Sequence, residues 1–123
     1  MADCVFCKIV SGDVPAKKKY EDGEIVAFAD INPVSPVHVV VIPKRHIANL
    51  SVAQAEDTEL LGKMQLVSKK VAHSEGISDA FRVLTASGKR AGQSVFHLHY
   101  HVIGGWQGDP PGMEAVNLEG RDE

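Results

Sequence analysis

The sequence predicts an α+β fold: an antiparallel five-stranded sheet with one long helix packed on it and a short helix at the N-terminus. Three observations carry this. Residues Phe96 to Ile103 (FHLHYHVI) alternate histidine with apolar side chains at a period of two, the period of a strand and not of a helix. His38 to Ile42 (HVVVI) is short, β-branched and stopped by Pro43, as suits a central strand. Leu60, Met64, Val67 and Val71 recur at helical spacing, with Leu61 widening the stripe.

The elements follow in order. Cys4 to Val10 has apolar residues at 5, 6, 9 and 10, a short helix that Ser11-Gly12-Asp13 breaks and Pro15 keeps from restarting. Lys17 to Tyr20 reads as an edge strand whose lysines discourage pairing with other chains. Asp22-Gly23 marks a hairpin into a second strand, Ile25 to Ala29, and the prolines of Asp30 to Pro36 make a loop. After the 38–42 strand and the basic corner Lys44-Arg45-His46, a helix is expected to begin near Ser51, with Ser51-x-x-Gln54 as capping box, and to end at Gly76. Glu56, Asp57 and Glu59 stand early in it and Lys69-Lys70 late, complementing the helix dipole. Phe81 to Thr85 is a further strand, which Ser87 to Gly92 turns back antiparallel into the histidine strand. Residues 1–112 read as one domain and Met113 to Glu123, polar and without periodicity, as a mobile tail.

Composition bounds the function. At 123 residues, 44% hydrophobic and 24% charged, the chain suits a single soluble domain. A net charge of -3 and a pI near 6.0 give no footprint for nucleic acid, although a local site for small phosphates remains open. The longest wholly apolar run, Val39 to Ile42, is too short to cross a membrane, and Met1-Ala2-Asp3-Cys4 is no signal segment. A cytoplasmic location is the expectation, with no membrane and no nucleic acid as partner.

Three of the six histidines fall within five residues, and His97, His99 and His101 share one strand face while Phe96, Leu98, Tyr100 and Val102 share the other. Imidazoles so placed offer nucleophiles, proton carriers and metal ligands together. Cys4-x-x-Cys7 is the second reactive pattern. Two thiolates at that spacing bind metal if two further ligands join them; the rivals are two unrelated thiols and a redox dithiol, the latter weakened by the absence of a βαβ pattern around it.

HLHYHVI resembles the histidine-triad motif. GQSVFHLHYHVIGG, DINPVSPVHVVVIPKRHI and the late PPG resemble the phosphoramidase branch of the histidine-triad nucleotide-binding proteins. The resemblance implies a homodimer whose protomers join their sheets, and an enzyme that hydrolyses purine nucleoside 5'-phosphoramidates through a nucleotidyl-histidine intermediate. It implies His99 as nucleophile and His101 as a hydrogen-bond donor to the phosphoryl group. His97 would position His99 through its backbone carbonyl, and His38 would buttress the nucleophile. His38 is otherwise readable as a satisfied core histidine. In Gly92, Gln93 and Ser94, turn-borne N–H groups and the Ser94 hydroxyl are expected to hold phosphate oxygens and help protonate the leaving amine. By resemblance Asp30 binds the ribose hydroxyls, and Phe6, Ile9, Phe28, Ile31 and Val40 form the base pocket, though these apolar residues would equally suit plain core. The resemblance also implies one structural zinc per chain, on Cys4, Cys7, His46 and His97.

Two positions depart from the family pattern. Ala86 stands where an Asn contacts the nucleotide, and Asp109 stands where a Trp precedes PPG, with Trp106 out of register. Both bear on specificity more than on catalysis. A dinucleoside polyphosphate hydrolase and a zinc-stapled scaffold without turnover are the competing functions; Ser94 and the PPG favour the phosphoramidase, and the intact triad argues against the scaffold.

Overall fold

The computed structural model describes residues 4–108. The expected tail, Asp109 and the PPG at 110–112 lie outside the described residues. Helix α1 (Val5–Ser11) is followed by strands β1 (Lys18–Glu21), β2 (Ile25–Ala29) and β3 (Val37–Pro43). Helix α2 (Thr58–Ser74) comes next, then β4 (Phe81–Leu84) and β5 (Tyr100–Gly104). The five strands make one sheet in the order β1-β2-β3-β5-β4, with every neighbouring pair antiparallel.

The sheet has two apolar faces because its central strands are apolar at odd and even positions alike. Ile25, Ala27, Val39, Val41, Tyr100 and Val102 face α2 and pack on Met64, Val67 and Val71, the stripe that the helical spacing predicts. Val26, Phe28, Val40 and Ile42 face the other way, toward Ile9 and the half-buried Phe6 of α1. Gly12 ends α1 in the left-handed region (φ 88), where a side chain is strained, and lets the chain double back along that face.

Two expectations need correction. The long helix starts at Thr58, and Ser51 lies in a separate 3-10 turn (Leu50–Val52). The Asp57 carboxylate accepts the Gln54 N–H at 2.8 Å and pairs with Arg45, so the helix entry is fixed about two turns later than the Ser51 pattern suggests. The histidine strand is also shorter than its alternation. Ladder pairing ends at Tyr100, opposite Val41, because β3 runs out at Pro43, which has no N–H to donate. Residues 96–99 are held otherwise: the Leu98 N–H donates to the Ile47 carbonyl at 2.6 Å. Phe96 does not join the core and is 45% exposed.

Candidate functional site

The face bearing α1 carries a cavity of about 480 Å³. Its floor is a cross-strand row, Phe28 beside Val40 beside His101, on β2, β3 and β5. Phe6 and Ile9 of α1 close one side, and residues 14–17, brought back by the turn at Gly12, close another. Asp30, Ile31, Asn32, Ser94, Val95 and His99 also line it, as do Val5 and Ala29, next in sequence to Phe6 and Phe28. All five expected base-pocket residues therefore meet in one place, with Ile31 at the mouth, 91% exposed. The 14–17 segment carries no motif and escapes a sequence reading, while Asn32 and Val95 lie within the quoted motifs without standing out there as site residues.

Although the strand is shorter than expected, the alternation of faces persists through 97–101. Leu98 and Tyr100 point to the α2 core, while His97, His99 and His101 are buried on the α1 side. Their hydrogen bonds assign the ring protons. His99 Nδ1 lies 2.6 Å from the His97 carbonyl, an acceptor only, so Nδ1 carries the proton and Nε2 carries the lone pair. On the neighbouring strand the Val34 N–H donates to His38 Nδ1 at 3.2 Å, which places the His38 proton on Nε2. That proton meets His101 Nδ1 at 2.9 Å, with the Asp30 carboxylate 3.3 Å away as a second acceptor. His101 Nδ1 thus accepts, and its own proton sits on Nε2. Two touching imidazoles, with ring centres 4.9 Å apart, carry opposite tautomers: His99 a lone pair at Nε2, His101 an N–H.

Asp30, His38 and His101 are close enough to suggest a cation site. The Val34 N–H argues against it, because a metal on His38 Nε2 would force a proton onto Nδ1, against that N–H. The trio reads instead as a directed proton chain.

Gly92 and Gln93 do not line the cavity. Their N–H groups donate to the Lys89 and Gly88 carbonyls, closing the 3-10 turn Lys89–Ala91. The Gln93 side chain is 2% exposed and fully engaged: its amide donates to the Ala48 and Val95 carbonyls, and its carbonyl accepts from the Gly88 N–H and Asn49. Gln93 fastens the loop that presents Ser94 and Val95, the residues of that motif that do reach the cavity. Thr85 supports the same region, its hydroxyl donating to the His99 carbonyl at 2.8 Å.

Behind the cavity, Cys4, Cys7, His46 and His97 offer four ligand atoms all within 4.8 Å of one another. Cys4 caps α1, its sulfur accepting the Cys7 N–H at 3.3 Å, so the first turn brings both thiols to one side. Cys4 Sγ lies 3.4 Å and Cys7 Sγ 3.6 Å from His97 Nδ1, and Cys7 Sγ lies 3.3 Å from His46 Nδ1. A tetrahedral zinc with bonds of about 2.3 Å to sulfur and about 2.0 Å to nitrogen has S···N edges of about 3.5 Å, which the cluster matches. The outer shell fits too. His97 Nε2 donates to the Pro43 carbonyl at 2.7 Å, turning the Nδ1 lone pair toward the thiols. Burial, outweighing that carbonyl, holds the His97 imidazole down at about 4, so it is neutral near pH 7. Burial and then the neighbouring Cys4 thiol push the Cys7 thiol up.

An antiparallel sheet with a histidine-floored apolar cavity on one face defines a small α+β protein built around imidazole chemistry. Residues 3–113 match the family model described as scavenger mRNA decapping enzyme C-term binding. Protein HitA of Neisseria gonorrhoeae is 48% identical over 104 residues, covering 85% of this chain and 97% of that protein. Among solved structures, a HIT family hydrolase from Clostridium thermocellum is 43% identical with a TM-score of 0.86, covering 90% of this chain and 97% of that one. A HIT family hydrolase from Legionella pneumophila is 42% identical with a TM-score of 0.84, covering 89% of this chain and 100% of that one. The chain belongs to the histidine-triad family.

Proposed function

We propose that this protein hydrolyses purine nucleoside 5'-phosphoramidates of the AMP–amine type through a covalent nucleotidyl intermediate on His99. The observation that carries the reading is the pair of opposite tautomers, a lone pair on His99 Nε2 beside an N–H on His101 Nε2, at the floor of an apolar cavity with a carboxylate in its wall. The base lies among Phe6, Ile9, Phe28, Ile31 and Val40, and the ribose hydroxyls donate to Asp30. His99 Nε2 attacks the α-phosphorus; the Nε2–P bond forms as the P–N bond to the amine breaks. The amine leaves with that electron pair and takes a proton delivered from solvent through the Ser94 hydroxyl. The His101 N–H, backed by His38, donates to a phosphoryl oxygen. Charge that develops on the His99 ring is stabilised by the His97 carbonyl at Nδ1. Water then attacks the same phosphorus, the P–Nε2 bond breaks, and the nucleoside monophosphate leaves with release of a proton.

The names of the two hydrolases above support a hydrolytic reading. The four-ligand cluster supports one structural zinc per chain. A homodimer with joined sheets and a cytoplasmic location complete the proposal. A second reading is cleavage of the phosphoanhydride in a dinucleoside polyphosphate, in which the same nucleophile expels a nucleotide in place of an amine; the matched family model is described by a decapping enzyme and not by a phosphoramidase.

Two measurements test this. Mass spectrometry of turnover quenched in alkaline denaturant is expected to show a nucleotide adduct on His99, absent in His99→Ala, which keeps nucleotide binding; an adduct on His97 or His101 refutes the assignment. The kcat/KM for adenosine phosphoramidate is expected to exceed that for diadenosine polyphosphate, and the reverse order establishes the second reading.

A further inference from the structure

The proposed zinc site and the proposed nucleotide site share more than proximity. His97 belongs to both: its Nδ1 faces the two thiols at 3.4 and 3.6 Å, and its carbonyl holds His99 Nδ1 at 2.6 Å. The residue between the cysteines is also shared. Phe6 sits on the single helical turn that Cys4 and Cys7 bracket, and its ring packs edge-on to His99 with centroids 5.1 Å apart. The same ring meets His97 at 5.9 Å and Phe28 at 5.4 Å, so it touches the ligand residue, the imidazole and the cavity floor at once. Ile9, another cavity residue, lies on that helix and is its one buried residue. The hydrogen-bonding partners of the His97 ring among the described residues are the Pro43 carbonyl at Nε2 and the two thiols at Nδ1.

We infer that Cys4, Cys7, His46 and His97, closed on a zinc-class cation, are positioning residues for the nucleotide site, so that cation and nucleotide strengthen each other's binding. Ligation pins the first turn of α1 and the His97 ring to one centre. That fixes Phe6 against His99 and holds the His97 carbonyl where it keeps the proton on His99 Nδ1. When the cluster opens, α1 retains only its packing, the cavity loses a fixed wall, and the His97 backbone loses its anchor from the ring side. A staple that served stability alone would leave the cation indifferent to what fills the cavity.

The inference rests on the nucleotide reading, and its test uses binding in place of turnover. Coupling between two ligands is reciprocal, and coupled sites commonly shift each other about 5–150-fold. Zinc-loaded full-length protein is titrated with a chromophoric chelator with and without saturating AMP. AMP is expected to lower the zinc dissociation constant at least fivefold, and calorimetry should show AMP binding weakened by the same factor in zinc-depleted protein. The imidazole ¹⁵N spectrum supplies a second readout. His99 should hold one Nδ1–H tautomer with zinc bound and mix tautomers without it. Restoring a fourth ligand in His46→Cys should recover both effects that His46→Ala loses. If depleted protein fails to fold, the chelator titration of loaded protein still decides the matter. Identical zinc retention with and without AMP, AMP being bound, overturns the coupling. Failure of AMP to bind at all overturns the nucleotide reading, and the inference with it.

Discussion

Ala86 is the position where this chain departs most sharply from the pattern it resembles, and the surroundings sharpen the consequence. An Asn there would give and accept hydrogen bonds; Ala86 does neither. The neighbours do not stand in for it. The Thr85 hydroxyl donates to the His99 carbonyl, and the Ser87 hydroxyl accepts the Ser51 N–H at 3.2 Å. A neutral hydrogen bond contributes about 0.5–1.5 kcal/mol, or roughly three- to tenfold in binding. Ala86→Asn is therefore expected to lower KM for adenosine phosphoramidate several-fold with little change in kcat, because the gained bond is made in ground and transition states alike. Steady-state kinetics decide it; an unchanged or higher KM means that a water already fills the role.

At the scale of elements, two short connections hold the site in place. The loop from Gly88 to Val95 hangs on the Gln93 side chain, whose four partners are spread over residues 48, 49, 88 and 95. Gln93→Ala removes the partner of these half-buried groups, at about 1–3 kcal/mol in denaturant unfolding. Because Ser94 follows directly, turnover should fall by more than the stability loss explains; an unaffected kcat would detach the loop from catalysis. The β1–β2 hairpin hangs on Asp22. Burial raises its carboxyl, but hydrogen bonds from Tyr20, the Glu24 and Ile25 N–H groups and Lys63 outweigh burial and hold it well below the ordinary carboxylate range. Since the folded value lies below the unfolded one, near 3.9, the unfolded chain binds the extra proton. The stabilisation is complete above that pH and is lost as pH falls through it toward the folded value. Asp22→Asn should flatten the acid limb of the stability curve below about pH 4, measured by urea unfolding across pH. An unaltered limb would place the acid sensitivity elsewhere.

At the scale of the whole molecule, the two sheet edges differ. β1 carries Lys18 and Lys19, charges that discourage further pairing. β4 (FRVL) pairs only with β5 among the described residues, and Val83 on it is 37% exposed. An edge with Phe81, Val83 and Leu84 on it, and Arg82 as its one charge, suits a second copy of the chain. Light scattering at micromolar concentration is expected to give twice the 13.3 kDa chain mass, and Val83→Lys to shift it toward the monomer. A monomer mass for the unaltered chain would remove the dimer from the proposal.

Much of this architecture is legible in the residues themselves. The period of two through 96–103, the β-branched run at 38–42 and the stripe Leu60, Met64, Val67, Val71 set strand, strand and helix, because side-chain periodicity is a local property of the backbone. The same periodicity sorts His97, His99 and His101 to one face, and that sorting survives where the ladder itself stops. The cysteine pair and the apolar base-pocket residues are likewise visible as residue types. Tertiary structure alone decides the rest. The strand stops at Tyr100 because its partner ends in a proline, and the helix starts at Thr58 because Asp57 meets Arg45 and Gln54. Gln93 turns inward because four half-buried groups, on residues 48, 49, 88 and 95, meet its amide. Above all, the tautomers of His99 and His101 are set by the His97 carbonyl and the Val34 N–H. Every residue carries those backbone groups, so they leave no mark in a sequence, and only the fold decides which imidazole each one meets.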